Sequence, residues 1–68
     1  MDYTIDELSQ AKRQIDSTLH KLVETIATLE SKEHPQRYKS QLTLARRRVA
    51  AFELANSLIE REIKELSV

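Results

Sequence analysis

Two groups of side chains have the types and the spacing for chemistry. Asp16, His20 and Glu24 stand at i, i+4 and i+8 within "IDSTLHKLVETI". On a helix that spacing lines them along one face, and carboxylate and imidazole are ordinary ligands for a divalent cation. The second group is basic: Arg37, Lys39 and the triplet Arg46, Arg47 and Arg48. Five positive side chains with no acid among them over 34–48 are the raw material for contacts to a phosphate backbone.

Neither group goes far on its own. The acidic and imidazole line is not accompanied by an HExxH or ExxH element, and it reads as a solvated charged stripe on the outer face of its helix. His34, beside Pro35, reads as a loop residue. There is no glycine-rich phosphate loop, nucleophile elbow or paired-carboxylate cleft. The expectation is therefore no catalytic residue, no metal site, no cofactor and no enzymatic activity. In the triplet, successive residues are turned about 100° apart on a helix, so the three guanidinium groups fan across roughly 200° and share no face. Arg46 and Arg48 flank the apolar seam described below, where ion pairs between helices form, and Asp16, Glu24 and Glu30 are candidate acids for them. Only Tyr38 is at hand to stack on a base. Nucleic-acid binding through Arg37, Lys39, Arg46, Arg47 and Arg48 is thus the alternative reading, in the form of a small RNA-binding bundle, and not the leading one.

The elements that must position these groups are two helices. The 68 residues contain no glycine, no cysteine and one proline, so the vocabulary for tight β turns is missing. At 40% apolar and 32% charged, the chain is too apolar for a disordered tail, and its 11 acids balance its 11 bases. The first helix announces its start at "TIDEL": Thr4 is a good N-cap, Glu7 completes a capping box, and Tyr3 and Leu8 stand at the positions of a hydrophobic staple. From there Ile5, Leu8, Lys12, Ile15, Leu19, Leu22, Ile26 and Leu29 follow the alternating three- and four-residue steps of heptad a and d positions. A second set does the same: Tyr38, Leu42, Ala45, Val49, Phe52, Asn56, Ile59, Ile63 and Leu66. The two sets are out of phase, and Pro35 lies in the break. Proline disfavours helix at the residue before it and suits the first turn of a new one.

The fold class expected is all-α: an antiparallel two-helix hairpin, helices at about 4–32 and 35–66, joined by a tight link around 33–35 and closed by a coiled-coil-like seam. All 68 residues form this single helical-hairpin domain. Layers in which residue numbers sum to 71 put Lys12 and Asn56 in adjacent layers; a sum of 68 puts them opposite one another. In either case the two polar seam residues come together, and they are read as setting register. The stretch "AKRQIDSTLHKLVETI", residues 11–26, resembles the first helix of the all-helical chorismate mutases; the third helix of that family is missing, and no catalytic residue carries over.

One seam leaves much of the second helix unexplained. Leu44, Ala51 and Leu58 form a second row spaced by seven, widened by Ala50, Leu54 and Ala55. A helix apolar on most sides is buried on most sides. Leu44, Ala51, Leu54, Ala55 and Leu58 are therefore the expected contact surface, first for a second copy of the chain, a dimer that makes a four-helix bundle, and otherwise for a protein partner. The function expected is that of a non-enzymatic helical-hairpin module that self-associates and presents a helical surface to a protein partner. No apolar run reaches membrane-spanning length, and with no cysteine the reading is a soluble, cytoplasmic chain without membrane contact.

Overall fold

The computed structural model describes residues 2–68. Helix α1 runs Ile5–Glu30, a 3₁₀ turn covers Pro35–Tyr38, and helix α2 runs Lys39–Leu66. The two helices lie against each other as a hairpin. The molecule is a rod of 50 × 16 × 15 Å with a radius of gyration of 15.4 Å, where a globule of this length would have about 11 Å.

The start of α1 is the one its sequence announces. The Thr4 hydroxyl accepts from the Glu7 backbone N–H at 3.1 Å, and the Thr4 backbone N–H donates back to Glu7 Oε1 at 3.0 Å. Two of the orphan donors at the helix start are satisfied in one reciprocal pair. Asp6 and Glu7 lie in the positive first turn.

The helix ends differ from the sequence expectation. α1 stops at Glu30 rather than 32: Ser31 caps it, its backbone N–H donating to the Ala27 carbonyl and its hydroxyl to the Thr28 carbonyl, while the Lys32 N–H donates to the Leu29 carbonyl. The second helical segment does begin at Pro35, but its first turn is 3₁₀, and α-helical pairing starts only at Lys39. His34 takes φ −127°, ψ 76°, outside the helical region, as the residue before a proline must. Its carbonyl accepts from the Arg37 N–H at 3.0 Å and closes the tighter turn. No residue from 2 to 68 has a positive φ, so the reversal is made without a left-handed position, in keeping with a chain that has no glycine.

The seam is where the periodicity puts it. Leu8, Leu42, Ala45 and Asn56 are buried, and Ile15, Leu19, Leu22, Ile26, Leu29, Tyr38, Val49, Phe52, Ile59 and Ile63 are half-buried. The outermost layer is open, with Ile5 40% and Leu66 44% exposed. No side chain anywhere among the described residues is sealed to below 2% exposure. The core is a single line of contacts, shielded on neither edge by a third helix.

Candidate functional site

The two edges of the seam are chemically unlike. Among the described residues, the ion pairs and side-chain hydrogen bonds recorded between the helices lie on one of them, where residues that follow d positions meet each other or the seam residues Lys12 and Asn56. Arg46 on α2 donates to Glu30 on α1 at 2.6 Å. Lys12 Nζ lies 3.3 Å from Glu60 Oε1 and 3.0 Å from Asp16 Oδ2. The Asn56 amide donates to Asp16 Oδ1 at 2.7 Å. Asp16 therefore ties the two polar seam residues together, although it is not itself in the seam.

The local chemistry follows from that arrangement. Lys12 keeps its stem along the seam and lifts its ammonium to the edge, where Asp16 and then Glu60 push its pKa up. Its ammonium, and then the Asn56 amide, hold the Asp16 carboxyl below the usual carboxylate range. Asn56 is buried, and its Oδ1 has no hydrogen-bond partner among the described residues. A half-satisfied buried amide costs stability. The cross-helix pairs Asp16–Asn56 and Lys12–Glu60 each sum to 72 and Arg46–Glu30 sums to 76.

Asp16 departs from the solvated charged stripe expected on the outer face of α1. It has turned to the seam edge and left the stripe, while His20 Nε2 and Glu24 Oε1 remain paired at 2.8 Å in the open. Among the described residues no three histidine or acidic side chains gather as a metal site. The signal for Asp16 was available: it directly follows Ile15, a d position, and such flanking positions face the other helix.

The opposite edge carries no ion pair among the described residues. A shallow groove runs there between Leu22, Thr25 and Leu29 of α1 and Gln41, Leu44 and Arg48 of α2. Beyond it the outer face of α2 continues with Ala51, Leu54 and Leu58. Leu44 is 49% exposed, Leu54 62% and Leu58 53%. Ala51 is exposed and Ala55 half-buried. The hairpin thus leaves its second apolar row uncovered. Val23, on the ion-paired edge, is the other exposed aliphatic of the middle of the rod.

No protein-family model matches the chain, and neither a curated protein nor a solved structure matches it. The site has to be read from its own chemistry.

The basic block is divided. Arg46 is held by Glu30, as its place beside the seam implied. Arg37, Lys39, Arg47 and Arg48 are exposed and form no ion pair among the described residues. Arg47 lies by Lys39, Thr43 and Leu44 on the outer side, while Arg48 borders the groove. No helix among the described residues is long and apolar enough to cross a membrane.

Proposed function

We propose that this chain is a non-enzymatic interaction module, a cytoplasmic helical hairpin that self-associates through the open apolar face of α2 and presents a helical surface to a protein partner. The observation that carries this reading is the uncovered row of Leu44, Leu54 and Leu58 beside a core in which no side chain is fully sealed.

Surface area supports it. The hairpin exposes 5579 Å² for a mass of 7.9 kDa, where a compact monomer of that mass exposes about 4400 Å². The excess is on the order of 1000 Å², comparable to the roughly 800 Å² that each partner contributes to a stable interface. The reading as a non-enzyme is supported by where the ionisable groups go. Lys12, Asp16, Glu60, Glu30 and Arg46 engage one another on an open edge, where water screens them and no reacting group is enclosed.

Size-exclusion chromatography with light scattering tests the self-association. The expected mass is twice 7.9 kDa at micromolar concentrations, falling toward the monomer on dilution. A single 7.9 kDa species up to millimolar concentration would overturn the proposal.

A further inference from the structure

The face of α2 that lies open is a second seam, and its charges specify how a second copy must lie on it. At 100° per residue, Leu44, Ala51, Ala55 and Leu58 fall within about 60° of one another on α2. Glu62 and Glu65 extend the same stripe toward the C-terminal end, and Arg37 stands in the turn that leads into its other end. The stripe is therefore basic at one end, apolar in the middle and acidic at the other.

We infer that two copies pair α2 against α2 antiparallel, on a two-fold axis at Ala51. This rests on the self-association proposed above and adds to it the orientation and the register. On that axis, paired residue numbers sum to 102. Leu44 of each chain then meets Leu58 of the other, Ala51 meets Ala51, and Arg37 meets Glu65.

Three observations carry the inference. Sterically, the residue on the axis is an exposed alanine, which lets two helix backbones approach closely, and the large exposed leucines stand seven residues to either side of it. The groove between α1 and α2 borders Leu44, so an incoming Leu58 has an apolar cleft beside Leu22 and Leu29 to enter. Electrostatically, with Arg46 and Glu60 engaged on the other edge, the antiparallel arrangement sets Arg37 at one end of the stripe against Glu65 at the other, with Glu62 one turn away. A parallel pair would set Arg37 against Arg37 and Glu65 against Glu65, and like charges directly opposed are destabilising. The opposite edge of the hairpin is not an alternative face, since its polar groups are already engaged with one another.

The chain has no cysteine, so single introduced cysteines report the geometry directly. Ala51→Cys is expected to form a disulfide-linked dimer under mild oxidation. Leu44→Cys and Leu58→Cys are each expected to stay unlinked alone and to cross-link with each other when mixed. Glu65→Arg is expected to raise the dimer dissociation constant roughly tenfold, and the double variant Arg37→Glu/Glu65→Arg to restore it. Circular dichroism confirms that each variant keeps its helix content before it is scored. If the unmodified chain is a dimer but Leu44→Cys links to itself, or Ala51→Cys does not, the antiparallel pairing is wrong and self-association survives. If the unmodified chain is monomeric at every concentration, the underlying proposal fails as well.

Discussion

At the scale of single residues, the centre of the hairpin is a small polar circuit: Lys12, Asp16, Asn56 and Glu60. Periodicity made two of these legible, because Lys12 and Asn56 interrupt two otherwise aliphatic rows. It marked Asp16 only as an acid flanking the seam, offered to the arginines of α2, and did not point to Glu60, since a side chain just off the stripe looks the same in sequence whether it reaches in or out. What decides is the far partner: an amide at Asn56 on one side and an ammonium at Lys12 on the other, both within reach of one carboxylate. Because these contacts depress the Asp16 pKa, the stability they supply is present above the pKa of the unfolded chain, about 4. It is lost as pH falls through the lower folded value. Asp16→Asn is therefore expected to melt at a lower temperature than the parent at pH 7, and the gap is expected to close below about pH 4. Thermal melts of both chains from pH 2 to 7 check this; a gap that does not change with pH would remove Asp16 from the account.

At the scale of elements, the sequence was most informative where a signal had one meaning. The Thr4–Glu7 capping box allowed no other reading, and its two hydrogen bonds are both formed. Thr4→Ala should cost about 1 kcal/mol, lowering the melting temperature by roughly 4–8 °C, while Thr4→Ser should cost little. A chemical denaturation series of the three chains would show it, and equal midpoints for all three would mean that the cap contributes nothing. The link between helices was less legible, because a proline at a first helical position suits an α turn and a 3₁₀ turn alike. The phase break placed the reversal between Leu29 and Tyr38. It could not say that Ser31 would take over the end of α1, or that His34 and Arg37 would close a tighter turn.

At the scale of the whole molecule, the excess surface is the fact to be explained. A rod with one seam exposes on the order of 1000 Å² more than its mass requires, and the exposed leucines are concentrated on α2. If folding and pairing are coupled, the melting temperature must depend on concentration, by about 5 °C for each tenfold change in a chain of this size. Differential scanning calorimetry over a hundredfold range would reveal it; a constant melting temperature would mean that the hairpin is stable alone. This level was legible only as composition and direction. The second row of apolar residues was visible in the spacing of Leu44, Ala51 and Leu58, but which edge of the hairpin it shared was set by the ion pairs on the other edge.

Those ion pairs have a further consequence, for growth. A hairpin with apolar faces on both edges would accept a neighbour on each and extend into a filament. Here one edge is occupied by Arg46–Glu30, Lys12–Glu60 and Asp16–Asn56. A two-fold pairing uses the other edge on both copies at once, and what remains outward is largely polar. The proposed pairing therefore carries its own stopping rule: two copies would cover each other, and a third would find no complementary face.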